Sequence, residues 1–220
     1  DEIKGFCEQL IKANDLDSGN VYLQITRGDG IVRNHLYPEF KDQKAVISGF
    51  TTHYYRNNER IENGVKAILY PDLRWALCNV KSLNLLPNCM AIAEAHKYGA
   101  NKAILYKGEY ITEERAGNVL IVKDGKVITH PDGPEILPGI TKMLILQILK
   151  ERKMPFEERK FTKDELLNAD EVIVSDTKTE CCPVIKIGDK VIGDGKRGPV
   201  TKKIDDAYKE LIVKQCGKVM

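Results

Sequence analysis

The chain reads as a mixed α+β / α/β protein, with a small α+β half followed by a larger, β-rich half flanked by helices. Three observations predict this. An amphipathic helical pattern opens the chain. Short β-branched runs bounded by glycine and aspartate turns recur along it. Further helical stretches with recognisable starts and stops stand among those runs. At 220 residues, 42% hydrophobic and 30% charged, the composition is ordinary for one or two modest domains.

Ile3, Phe6, Leu10 and Ile11 recur at helical spacing, so about 2–14 is expected to be a helix, ended by Asp15 to Gly19. Val21 to Thr26 alternates and is β-branched, which predicts a strand, and Gly28-Asp29-Gly30 begins a loop. Ala45 to Thr52 and Val65 to Tyr70 read as further strands, joined by a polar, exposed connection over Arg56 to Asn63. Residues 1–72 are assigned to the small domain, 73–79 to an interdomain linker and 80–220 to the large domain.

In the second half, Leu85 to Lys97 predicts a helix stopped by Gly99, and Lys102 to Tyr106 a strand turned by Lys107-Gly108. Val119 to Val122 and Lys126 to Thr129 flank Asp124-Gly125, a strong hairpin signal. Thr141 to Lys153 is a helix, with Pro138 and Gly139 before it and Pro155 after it. Strands are expected over Glu158 to Phe161 and Glu171 to Ser175, around a short helix. A second hairpin, Pro183 to Ile187 with Lys190 to Ile192, turns over Gly188-Asp189. A glycine-rich loop over Gly193 to Gly198 leads to a closing helix over Val200 to Lys214. There is no internal repeat and no low-complexity segment.

The net charge of +2 gives no field that would favour nucleic acid or a membrane surface. No apolar run is long enough to span a bilayer, and no signal peptide opens the chain. The six cysteines have no metal or redox spacing, and no metal site is expected. They read as reduced thiols of a cytoplasmic protein.

One lysine, Lys81, lies among mostly apolar residues in the run from Arg74 to Leu86. Burial there would push its pKa down and leave a neutral, nucleophilic amine, as a Schiff-base lysine needs. The other reading is a lysine at a strand end, with its stem packed and its ammonium in water. Wider motifs decide between them. Lys81-Ser82-Leu83-Asn84 follows Arg74-Trp75, and then come Ile111-Thr112-Glu113, Asn118 and Leu137-Pro138-Gly139-Ile140-Thr141. This order resembles the fold-type IV aminotransferases that use pyridoxal 5'-phosphate (PLP), and among them the D-amino acid aminotransferases.

The resemblance implies a role for each matching residue. Lys81 would hold PLP and move a proton between the substrate Cα and the cofactor C4′. Glu113 would face the pyridine nitrogen and keep it protonated. Leu137 would lie against the cofactor ring. Backbone N–H groups at Gly139, Ile140 and Thr141, with the Thr141 hydroxyl, would grip the phosphate at a helix start. Thr177 would add a second hydroxyl. Arg33 and His35 would bind the substrate α-carboxylate, reaching the site from the partner subunit of a homodimer.

The chain also departs from the pattern. Where relatives carry small hydroxyl residues or glycine after the glutamate, it has Glu114-Arg115-Ala116-Gly117. Asp176 stands beside Thr177, where relatives have serine or glycine. A carboxylate next to a phosphate dianion is repulsive unless a cation intervenes. The first residue is Asp1, so the chain reads as a fragment or a trimmed protein. The preceding stretch would hold the family's phosphate-binding arginine and a tyrosine of the carboxylate trap. Without them, weak PLP binding is expected.

The function implied is transamination of D-amino acids, D-alanine and 2-oxoglutarate giving pyruvate and D-glutamate. A branched-chain aminotransferase or aminodeoxychorismate lyase on the same fold is the nearest alternative, against which Arg33 and His35 argue. A non-catalytic truncated relative is a third.

Overall fold

A computed structural model describes residues 1–28, 44–56 and 58–217. The chain divides into two compact units, Asp1–Arg56 and Asn57–Met220. In the first, helix α1 (Glu2–Ala13) is followed by strands β1 (Gly19–Thr26) and β2 (Val46–His53), as the periodicities predict. The strands pair antiparallel in register from Gly19 opposite His53 to Thr26 opposite Val46. Tyr22 and Phe50 are opposed in that register and stack at 4.9 Å. Gly49 lets α1 sit close: a Cβ there would lie 3.3 Å from Leu10 Cδ1 and 2.6 Å from Leu23 Cδ2.

The second unit is built on one nine-stranded sheet. Its elements are α2 (Asn58–Asn63), β3 (Val65–Pro71), α3 (Leu86–Lys97), β4 (Lys102–Lys107), β5 (Tyr110–Glu114), β6 (Asn118–Lys123) and β7 (Lys126–Thr129). Then follow α4 (Ile140–Glu151), β8 (Phe156–Glu158), α5 (Lys163–Leu167), β9 (Glu171–Asp176), β10 (Glu180–Ile187), β11 (Lys190–Val191) and α6 (Pro199–Cys216). The strand order is β5-β4-β3-β10-β9-β6-β7-β8, with β11 paired to β10. β10 joins the halves. Its first residues pair antiparallel with β9, and its last pair parallel with β3 after a register shift between Val184 and Lys186. Such an irregularity bends a strand. The sheet curls, and the ends of β5 and β6 meet at a bridge between Glu114 and Gly117.

Both faces of the central strands are buried, which is why they read as continuous apolar runs. On β6, Val119 and Ile121 belong to one core and Leu120 and Val122 to another. The second core lies under α4 and α6, through Ile145, Leu149 and Ile204. A third, with Ala91, Ala95, Ala103 and Leu105, packs α3 on β3 and β4. The alternation also separates Cys181 from Cys182: neighbours in β10, they enter different cores.

Local chemistry sets the turns. Asp124 (φ 50°) and Gly125 (φ 75°) make the two-residue turn between β6 and β7. α5 starts with a capping box: the Glu165 N–H donates to Thr162 Oγ1 at 3.1 Å, and the Thr162 N–H to Glu165 Oε2 at 2.8 Å. α6 is capped by a strand residue. Glu171 accepts from the N–H of Val200 (2.8 Å) and of Thr201 (2.7 Å) and from the Thr201 hydroxyl (2.6 Å).

Four expectations need correction. β3, assigned to the small half, pairs in the large sheet, so the compact units part at Arg56 and Asn57 rather than at 73–79. The polar stretch before it forms α2, because Ile61 buries itself to 1% exposure. The strand expected over Glu158 to Phe161 lies earlier, as β8, where Phe156 pairs opposite Val127. β5 was not anticipated as a strand at all. Among the described residues no helix is long and apolar enough to cross a membrane.

Candidate active site

Glu113 lies near the end of β5 and is 3% exposed. Its Oε1 is paired with Arg74. Its Oε2 accepts from Asn118 Nδ2 at 3.0 Å and from the Leu137 N–H at 3.1 Å. Arg74 turns its other edge to Asp72, with Nε 2.9 Å from Oδ1 and Nη2 2.8 Å from Oδ2. Nη2 also donates to the Glu135 carbonyl at 3.1 Å. Asp72 in turn accepts from the Thr112 hydroxyl at 2.7 Å. Burial pushes the Glu113 carboxyl up to about 7, with Arg74 and the Leu137 N–H holding it back. Burial works against Asp72 too, but the bonds from Arg74 and Thr112 keep it below the usual carboxylate range.

The loop before α4 is tied to this row. Asn118 Nδ2 donates to the Leu137 carbonyl at 2.8 Å as well as to Glu113. Gly139 must stay small, since a Cβ there would meet Asn118 Oδ1 at 2.0 Å. From within α4, the buried Lys142 reaches back. Its Nζ donates to the His130 carbonyl (2.7 Å) and to Asp132 Oδ1 (2.8 Å), and lies 3.3 Å from Glu158 Oε1. The loop that delivers Leu137 and Gly139 is thus held at both ends. Leu137 is half-buried, Ile140 is exposed and Thr141 is buried. Gly139 makes no side-chain cap, so the first N–H groups of α4 are left for an oxyanion.

Thr177 is exposed in the turn after β9. The neighbouring Asp176, expected to repel a phosphate, has the intervening cation that relieves it. Lys102 Nζ lies 2.7 Å from its Oδ2. Burial raises the Asp176 carboxyl, and Lys102 with the Thr179 hydroxyl and N–H more than offsets this and holds it below the usual range. Glu114 is fully buried nearby, with Arg115 Nε at 3.6 Å from its Oε1. Two of the unexpected carboxylates, Glu114 and Asp176, thus bear on one buried lysine, Lys102.

Lys81 is exposed, in a stretch without regular structure before α3. The expected apolar burial is not found, because Val80, Leu83 and Leu85 turn outward with it. Its segment is pinned on both sides: the Cys78 N–H donates to the Pro134 carbonyl at 2.8 Å, and Asn88 Nδ2 donates to the Arg115 carbonyl. Arg33 and His35 lie outside the described residues. Hydrogen bonds join Glu113, Asn118 and Leu137 directly. Sequence reasoning quoted Arg74 without a role and missed Asp72, Lys102 and Lys142. The signal available was a charged residue inside or beside an apolar run, since such a residue needs a partner.

Residues 1–187 match the family described as Amino-transferase class IV. The chain belongs to the class IV aminotransferases. It is 42% identical over 212 residues to the D-alanine aminotransferase of Staphylococcus haemolyticus, covering 96% of this chain and 74% of that protein. With the D-alanine aminotransferase of Listeria monocytogenes serotype 4b (strain F2365) it shares 39% over 219 residues, 100% of this chain and 76% of that protein. Among solved structures, the branched-chain amino acid aminotransferase of Escherichia coli superposes with a TM-score of 0.79 at 28% identity, over 96% of this chain and 71% of that one. The branched-chain aminotransferase of Thermobaculum terrenum, solved in its PLP form, is alike in fold, with a TM-score of 0.77 at 23% identity over 94% and 68%.

Class IV aminotransferases use PLP, and the residues of this class IV chain fit it. A fixed, buried carboxylate at Glu113 suits a ring nitrogen that carries a proton. The uncapped start of α4 suits a phosphate. The missing Cβ at Gly139 lets the loop before α4 lie against Asn118, which also holds Glu113.

Proposed function

We propose that this chain transaminates D-amino acids, passing the amino group of D-alanine or a similar substrate to a 2-oxo acid such as 2-oxoglutarate. The observation that carries this is the 42% identity to a D-alanine aminotransferase across 96% of the chain. When bound, PLP supplies the electron sink that lets the substrate Cα give up its proton. Glu113 holds a proton at the pyridine nitrogen, fixed there by Arg74, Asn118 and the Leu137 N–H. Lys81 would be the base that carries the proton away from the substrate Cα and back to the cofactor–substrate adduct. The first N–H groups of α4 and the hydroxyls of Thr141 and Thr177 would bind the phosphate, and Leu137 would pack on the ring. Arg33 and His35 bind the α-carboxylate and so set which face of Cα meets Lys81.

We further propose that the protein acts as a homodimer in the cytoplasm. An apolar surface supports the dimer: Trp75, Leu77, Val80, Leu83, Leu85 and Leu86 are all exposed along the Lys81 segment. In such a dimer Arg33 and His35 would reach the partner's site.

The test is a substrate pair. Protein loaded with PLP and 2-oxoglutarate should form pyruvate from D-alanine and do little with L-leucine. Preference for L-leucine would instead favour a branched-chain aminotransferase, and activity on neither would favour a non-catalytic relative.

A further inference from the structure

Lys102 opens β4 and Asp176 closes β9, strands separated in the sheet by β3 and β10. Only the curl of the sheet lets their side chains meet at 2.7 Å, with 8% and 13% of each exposed. Asp176 gives its remaining acceptor capacity to the turn that follows. Oδ1 accepts from the N–H of Lys178 at 2.8 Å and of Thr179 at 2.7 Å, and Oδ2 from the Thr179 hydroxyl at 2.6 Å. Thr177 and Lys178 are the exposed residues of the turn fixed in this way. Gly117 allows the Glu114–Gly117 turn to close over the same place, since a Cβ there would meet the Ser175 carbonyl oxygen at 2.6 Å.

We propose that the Lys102–Asp176 ion pair is a positioning device for the cofactor phosphate, converting a carboxylate that would repel the dianion into the clamp that presents Thr177 to it. The proposal rests on the placement of Thr177 in the phosphate cup above. Lys102 cancels the charge of Asp176 where little water screens it. The carboxylate can then keep its bonds to the turn without setting a negative field against the phosphate. Lys102 need not touch the phosphate. A clamp and a mere neighbouring charge predict opposite signs. Were Asp176 only a repulsive neighbour, Asp176→Ala would strengthen the preference for a phosphate-bearing ligand. As the clamp, its loss weakens that preference.

The experiment titrates PLP and pyridoxal, which lacks the phosphate, into the protein and its variants. The visible absorption band gives affinity, and Tm is measured in parallel. Lys102→Met strands the carboxylate and should weaken PLP about ten- to hundredfold while pyridoxal changes little. Asp176→Ala should lower the PLP-to-pyridoxal preference about three- to tenfold. The double variant Lys102→Met/Asp176→Ala should cost no more than Lys102→Met alone, since it leaves one buried carboxylate, Glu114, without the lysine instead of two. It carries the test with Asp176→Ala if Lys102→Met fails to fold. A raised preference in Asp176→Ala, or equal losses of PLP and pyridoxal across the folded variants, overturns the proposal. Thr177→Val separates the two levels. An unchanged preference there removes Thr177 from the cup. A lowered preference there, with none in Asp176→Ala, overturns the ion-pair role alone.

Discussion

Arg74 and Glu113 form an ion pair closed to solvent, and the guanidinium that makes it also holds Asp72 and the Glu135 carbonyl. Removing one partner of a buried pair leaves the other charged and unmet. Arg74→Met strands two carboxylates at once and should destabilise the protein by about 3–5 kcal/mol. Urea unfolding measures this, and a loss below about 1 kcal/mol would mean the row is not a stabilising network.

Stability should also respond to pH through Glu113. Its carboxyl is pushed from 4.5 to about 7 by burial. Between those values the folded state holds more protons than the unfolded state, so stability falls as pH rises. The unfolding free energy of the cofactor-free protein, minus that of Glu113→Gln, should therefore drop across the window from 4.5 to about 7 and level off above it. Asp72 and Asp176, both held low, act the other way at the acid end, where stability is lost as pH falls through their folded values. A difference curve that rises through the window would contradict the assignment of Glu113.

Lys81 is exposed, so removing its amine should leave stability within about 0.5 kcal/mol of the parent. Lys81→Ala should nevertheless lose both the visible band with PLP and transamination. Borohydride reduction and peptide mass analysis of the parent should place the cofactor on this residue. A variant that keeps band and activity ends the role given to Lys81.

Gly139→Ala acts by size, since φ at Gly139 is −72° and suits any residue. The added Cβ needs the space of Asn118 Oδ1, so Asn118 must shift from Glu113 and from Leu137. We expect a cost of about 1–3 kcal/mol and weaker PLP binding. Unchanged PLP affinity would show that the loop gives way without moving Asn118.

Much of the fold was legible because its signals are local. Asp124-Gly125 announces a turn by its own backbone preferences, and the Val119 to Val122 run announces a strand. β5 was hidden for the opposite reason. Tyr110–Glu114 ends in two carboxylates, and their burial makes sense only with Arg74 and Lys102 supplied from elsewhere. The unit boundary was misplaced because β3 finds one of its partners in β10, far along the chain. At the candidate site, the motifs proposed Glu113, Leu137 and Thr141, but not the contacts that Glu113 and Leu137 make with Arg74 and Asn118. Asp176 looked like a defect until Lys102 stood beside it.

The place of β10 has a consequence for how the chain is made. Among the described residues it is the strand that joins β3 to β9, so their ladder stays in two pieces until the last quarter of the chain exists. Pairings so distant in sequence form slowly. At about 5–20 residues per second, the stretch from Pro71 to Glu180 takes roughly 5–20 s to leave a ribosome. For that time the inner edge of β3, with Val65 and Ala67, has no partner and is open to pairing with a neighbouring nascent chain. A message truncated before β10 should therefore yield aggregate rather than a smaller folded domain.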